Sequence, residues 1–167
     1  MAPVLVVVGP PGAGKTAAAR EAAARLGVGF RDTDQDVEAA TGETVGDVFV
    51  EHGEDHFRRL ERAAVRAALD GHTGVLAVGG GAVLDEATRA DLRGLPVAFL
   101  DVGIKDAASR IGLNRDRPLL LGNPRAQWIR LMELRRPFYD EVASVTVPTD
   151  GRSVDEVADD LVRWVRG

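Results

Sequence analysis

Residues Gly9-Pro10-Pro11-Gly12-Ala13-Gly14-Lys15-Thr16 match G-x-x-x-x-G-K-[ST] at every fixed position. The residue types define a chemistry. Gly12 and Gly14 tolerate backbone angles that other residues resist, so successive amides can turn inward and hold a phosphate chain at a helix N-terminus. The expected donors run from Gly12 through Ala13, Gly14, Lys15 and Thr16 to Ala17. The Lys15 ammonium would reach the β- and γ-phosphates, and the Thr16 hydroxyl would take a position on Mg²⁺. The chain has two lysines, Lys15 and Lys105, against nineteen arginines. A compact ammonium therefore stands where this sequence otherwise uses a planar guanidinium.

A second group of residues suggests an acceptor. Val28–Asp34 reads as a short strand ending Asp32-Thr33-Asp34, and alternation would put Phe30, Asp32 and Asp34 on one side. One carboxylate would hold Mg²⁺ through its water shell, and the other would take a hydrogen bond from a substrate hydroxyl. The competing reading makes either Asp a helix N-cap for the segment from Gln35. No Asp ends the buried run Gly74–Val78, so Asp32 is the expected acidic partner of the metal. That run leads into Gly79, Gly80 and Gly81, whose amides would donate to a ligand approaching closely. Arg58 and Arg136 would complete a second anion site with these glycines, and Asp34 would stand between the two sites. Plainer roles exist for both arginines: an ion-pair ladder of Glu54, Arg58 and Glu61, and the favourable effect of a cation near a helix C-terminus. A nucleotide hydrolase needs only the first site, whereas a kinase for a small hydroxylated carboxylic acid needs both.

The elements that position these residues read as five strands alternating with helices. Val4–Val8 is a β-branched run expected of a parallel strand buried on both faces, and Ala17–Leu26 is built from strong helix formers. Helices follow over about 35–40, 44–52, 54–70, 85–92, 105–110, 125–138 and 154–165, and strands over 74–78, 96–101 and 144–147. Phe49 and Phe57 read as core, and His52, His56 and His72 as structural or solvated. The stretch of about 111–124, with Arg115, Arg117 and Pro118, is irregular and reads as a lid over phosphate. One domain over residues 1–167 is expected. With no cysteine there is neither a disulfide nor a thiolate metal site, and a net charge of −5 argues against a general affinity for nucleic acid. No segment approaches the ~20 apolar residues of a membrane span, so a cytoplasmic location is the expectation.

The chain resembles the shikimate kinase family along nearly its whole length. The motifs are the phosphate loop at Gly9–Thr16, Asp32–Asp34, the pattern F-x-x-x-G-E-x-x-F-R-x-x-E from Phe49 to Glu61, Gly79–Gly81, Arg117–Leu120 and an R-x-P-x-Y-like spacing at Arg135–Tyr139. The resemblance implies an α/β three-layer sandwich of the P-loop kinase type with a parallel sheet ordered 2-3-1-4-5. It also implies an ATP-dependent, Mg²⁺-assisted phosphorylation of the shikimate 3-hydroxyl, within aromatic amino acid biosynthesis, by a monomer. The implied substrate contacts are Asp34, Arg58, Gly80, Gly81 and Arg136, with a helical substrate-binding region at about 34–60. Arg58 and Arg136 would grip the carboxylate and Asp34 would orient the hydroxyl. Glu61 would hold Arg58, and Arg117 would bridge substrate and transferring phosphoryl group. Arg110 and the Arg152 loop would flank adenine. The competing functions are a kinase for another hydroxy acid, such as gluconate, and a nucleotide-gated module without turnover.

Overall fold

The computed structural model describes residues 2–112 and 123–167. Most of the expected lid, residues 113–122 with Arg117, lies outside them. The first strand, β1 (Leu5–Val8), is at most 1% exposed and forms the middle of the sheet. A run of leucine and valine with no polar residue fits that place, because helices cover both faces of an all-parallel sheet. Helix α1 (Lys15–Leu26) follows the phosphate loop, then come β2 (Phe30–Asp32), α2 (Thr33–Thr41), α3 (Val45–His52) and α4 (Glu54–Gly71). The chain returns through β3 (Val75–Ala77), a 3₁₀ turn over Ala82–Leu84, α5 (Glu86–Leu92), β4 (Val97–Asp101) and α6 (Ile104–Ile111). It closes with α7 (Pro124–Val142), β5 (Val145–Pro148) and α8 (Val154–Arg166).

All five strands are parallel and ordered β2-β3-β1-β4-β5, the order that the resemblance implies. Val6 of β1 pairs with Leu76 on one side and Val97 on the other. Sequence-consecutive β3 and β4 therefore lie on opposite sides of β1, so the loop leaving β1 emerges where the strand order reverses. Ligands gather there in open α/β sheets. The helices form two packed groups, α1 with α8, and α4, α5 and α6 with α7. A smaller core of Val37, Val48 and Phe57 joins α2, α3 and α4, and Phe49 packs against it with its ring centroid 4.5 Å from that of Phe57. Phe57 is a core residue, as the sequence suggests, and Phe49 is half-buried against it.

Two boundaries differ from expectation in ways that bear on the site. The second strand stops at Asp32 rather than running to Asp34, because Asp32 Oδ1 accepts from the Asp34 amide at 2.8 Å and caps α2 immediately. Asp34 thus projects from the first turn of a helix, not from a strand. Helix α7 continues past Pro137 to Val142, four residues beyond the expected end at Phe138. A proline inside a helix removes one hydrogen bond, but Tyr139 and Val142 beyond it are buried in the main core and hold the last turn in place.

Candidate active site

The phosphate loop joins β1 to α1, with Gly14 at φ 81° as the N-cap residue. That left-handed angle suits glycine and starts the helix without a side-chain cap, and the first turn carries no acidic residue to compete with an anion. Lys15 Nζ folds back over the loop and donates to Gly9 O at 2.8 Å. Burial pushes Lys15 down to about 8, against the opposing pull of Asp34 and Asp32 and with a smaller push from Arg135. Thr16 Oγ1 donates to Asp32 Oδ2 at 2.8 Å while the other Asp32 oxygen caps α2. Asp32 is therefore the N-cap of α2 and at the same time the acceptor of the loop hydroxyl. Hydroxyl and carboxylate oxygens are the hard donors that suit Mg²⁺, so Thr16 and Asp32 fit the ion.

Beside the loop lies a cradle drawn from four segments. Gly79 donates its amide to Thr33 Oγ1 at 3.0 Å, and Thr33 is fully buried. This corrects the expectation for Gly79, whose amide is already committed to the protein. The amides of Gly80 and Gly81 have no acceptor among the described residues. Side chains on these glycines would displace the groups around them. A Cβ on Gly79 would stand 2.6 Å from Asp34 Oδ1 and 2.8 Å from Glu61 Oε2, and one on Gly81 would stand 2.7 Å from Arg58 Cζ. Gly80 lies against the phosphate loop, where a Cβ would be 3.1 Å from Gly9 O. Arg58 Nη1 donates to Glu61 Oε1 at 2.8 Å, and Glu61 is only 3% exposed. Burial raises the proton affinity of Glu61, with Arg58 opposing the shift. Burial likewise raises Asp34, reinforced by Asp32 and opposed by Lys15 and Arg58. The Asp34 carboxylate is thus more basic than a free aspartate.

The second arginine of the cradle is Arg135, not Arg136. Arg135 Nη1 would lie 3.2 Å from a Cβ on Gly80, and its charge acts on Lys15, Glu61 and Tyr139. Among the described residues no carboxylate stands within ion-pair distance of it. Arg136 turns away and makes a two-pronged contact with Asp101, Nη2 to Oδ1 at 2.9 Å and Nη1 to Oδ2 at 3.1 Å. Adjacent helical residues point about 100° apart, so only one of the pair can face the cradle. The signal was present in the sequence. The R-x-P-x-Y spacing places Arg135 four residues before Tyr139 and on its face of the helix, and Tyr139 OH donates to Gly80 O at 2.6 Å.

On the other side of the loop, Ala13, Gly14, Ala18, Arg110, Thr149, Arg152 and Val157 line a cleft of about 220 Å³. Arg110 donates to Gly12 O and Thr149 Oγ1, each at 3.0 Å, and so ties the phosphate loop to the loop after β5. Arg152 is held by Asp160 Oδ2 at 2.7 Å and by the Pro148 carbonyl at 2.8 Å. Both arginines expected near adenine do line the cleft. A second space of about 360 Å³, bounded by Gly12, Gly14, Lys15, Thr16, Ala17 and Arg110, shares Gly14 and Arg110 with it.

The model of the family described as shikimate kinase matches residues 11–166. A shikimate kinase of Frankia casuarinae is 56% identical over 93% of this chain and 69% of its own length. One of Salinispora arenicola is 55% identical over 95% of each chain. Among solved structures, shikimate kinase from Acinetobacter baumannii in complex with shikimate superposes with a TM-score of 0.89 at 32% identity, covering 97% of this chain and 92% of the other.

Proposed function

Because this chain belongs to the shikimate kinase family, we infer that it transfers the γ-phosphoryl group of ATP to the 3-hydroxyl of shikimate, giving shikimate 3-phosphate and ADP for aromatic amino acid biosynthesis. One observation carries the reading most directly. The phosphate loop and the acid cradle adjoin at Gly80, where a single Cβ would meet both Gly9 O and Arg135 Nη1. A hydrolase has no use for a second anion site beside its phosphate loop. A kinase must place an acceptor hydroxyl in line with the γ-phosphorus.

Each residue then has a physical task. Arg58 and Arg135, with the amides of Gly80 and Gly81, receive the shikimate carboxylate. Glu61 fixes Arg58, whose Nη1 it engages at 2.8 Å, while Glu54 Oε1 stands 3.6 Å from its Nε, and Nη2 is left to the ligand. Asp34 accepts the hydrogen of the 3-hydroxyl and aims its oxygen, and its raised proton affinity favours that acceptance. The transition state is loose, so positioning and charge stabilisation dominate. Lys15 leaves Gly9 O for the β- and γ-phosphate oxygens and stabilises charge there, joined by the loop amides. Thr16 and Asp32 would hold Mg²⁺, which when bound draws charge from the phosphate oxygens. The resemblance assigns Arg117 to the bridge between acceptor and phosphoryl group. Arg110 and Arg152 flank the base.

The test is ADP formation from ATP and Mg²⁺ with shikimate, with gluconate, and with no acceptor. Turnover that requires shikimate is expected. Turnover with gluconate alone, or tight ATP binding with no turnover on any acid, would overturn the assignment.

A further inference from the structure

Helix α7 meets both sites through side chains on a single face. Trp128 Nε1 donates to the carbonyl of Pro11 in the phosphate loop at 2.9 Å, and Tyr139 OH donates to Gly80 O in the cradle at 2.6 Å. Eleven residues separate them, close to three full turns, so the two bonds leave the helix in the same direction about 16 Å apart. Met132 and Arg135 lie between them on that face, and Met132 is buried. Neither aromatic ring is free to drift. Trp128 is 6% exposed, and Tyr139 is fully buried with its ring stacked on Phe99 at a centroid distance of 4.9 Å. Both acceptors are backbone carbonyls of the segments that would touch substrates. A trans peptide is planar, so holding the Gly80 carbonyl also sets the direction of the Gly81 N–H, which points the opposite way. That amide has no acceptor among the described residues.

We propose that Trp128 and Tyr139 are positioning residues, which make α7 a rigid gauge setting the phosphate loop and the acceptor cradle at a fixed separation. Neither touches a reacting atom. Trp128 holds the loop through Pro11, and Tyr139 orients the Gly80–Gly81 peptide that, on the reading above, binds the acceptor. The same helix turn that presents Tyr139 also presents Arg135, so carboxylate recognition and peptide orientation are set by one element. The proposal rests on the shikimate kinase reading for the identity of the acceptor.

The test is a pair of substitutions with both Michaelis constants and kcat measured. Tyr139→Phe removes one oxygen and keeps the ring stack. It should raise KM for shikimate about 3- to 10-fold and leave KM for ATP unchanged. Trp128→Phe should raise KM for ATP by a similar factor and leave that for shikimate unchanged, while Trp128→His, which keeps a ring N–H, should recover part of the loss. A role confined to packing would lower thermal stability and move neither constant, or move both together in both variants, and either result would overturn the proposal. Tyr139 is the chain's sole tyrosine, so 3-fluorotyrosine labels it uniquely and gives a second readout that needs no variant to fold. Its fluorine resonance should shift on adding shikimate, and an unmoved resonance at saturating shikimate would also overturn the proposal. Wild-type turnover is measured alongside. Its absence with shikimate would sink the acceptor assignment and this proposal with it, whereas normal turnover with unmoved constants in both variants would sink this proposal alone.

Discussion

The phosphate loop and the acid cradle adjoin, but they are built in opposite ways. The loop is eight consecutive residues between one strand and one helix. Its geometry is local, with a left-handed Gly14, a helix N-terminus and Lys15 reaching only as far as Gly9 O. The cradle takes Asp34 from α2, Arg58 and Glu61 from α4, Gly79–Gly81 from the end of β3, and Arg135 and Tyr139 from α7. None of these segments makes a site alone. A local site tolerates error elsewhere in the fold, whereas an assembled one depends on every packing contact that sets its parts in register.

The largest effect expected is in the local site. Lys15→Ala should lower kcat at saturating substrates by on the order of 10²- to 10³-fold or more, because it removes a charge aimed at the transferring group. A kcat within tenfold of wild type would break the phosphate assignment. The assembled site is tested by neighbouring arginines. Arg135→Ala should weaken shikimate binding about 10-fold or more with ATP affinity nearly unchanged, since a charge-assisted contact is worth roughly 1.5–3 kcal/mol. Arg136→Ala should leave shikimate affinity within about 2-fold and cost at most ~1 kcal/mol of stability, because its pair with Asp101 is half-exposed. Calorimetric titration of both variants decides the matter, and the opposite ranking would return the carboxylate to Arg136.

A smaller effect separates the frame of the cradle from its ligand contacts. Thr33→Val strands the buried Gly79 amide and should cost about 1–3 kcal/mol in urea unfolding. No loss of stability would mean that this hydrogen bond does not hold the glycine turn. The mildest perturbation is pH. Lys15 in the free protein has its pKa pushed down to about 8, and a polyphosphate favours the protonated form. Below that pH the ammonium is already present. Above it, nucleotide binding must take up a proton, so affinity should fall as pH rises through 8, by at most about tenfold per unit. Titrations in buffers of different ionisation enthalpy should report the uptake, and Lys15→Arg should abolish it. Affinity that is flat from pH 7 to 9 in the wild-type protein would contradict the burial argument.

The fold was legible because its signals are short in range. Apolar β-branched runs, helix formers and glycine punctuation marked the elements to within a few residues. Alternating strands and helices left a parallel sheet as the economical arrangement. The phosphate loop was legible for the same reason, since both its residues and its context are contiguous. Asp34 was expected at the end of a strand, and its support is a helix instead. Strand alternation put it beside Asp32, whereas the Asp32 cap turned the chain into a helix and brought Asp34 to Gly79 from another direction.

Arg135 and Arg136 mark the boundary between what the sequence determined and what it left open. Two adjacent arginines near a helix end are chemically equivalent as residues, and either has the charge and reach for a carboxylate. Only the rotation of α7 about its axis separates them, and that rotation is fixed by burying Trp128, Met132, Tyr139 and Val142 in the main core. The sequence by itself determined the phosphate loop and the strand and helix order, because each is written in neighbouring residues. The choice of arginine, the commitment of the Gly79 amide to Thr33 and the two bonds from α7 were decided by tertiary structure. They join segments up to 117 residues apart, and the angle at which packed elements meet is set by the whole core rather than by any stretch of chain.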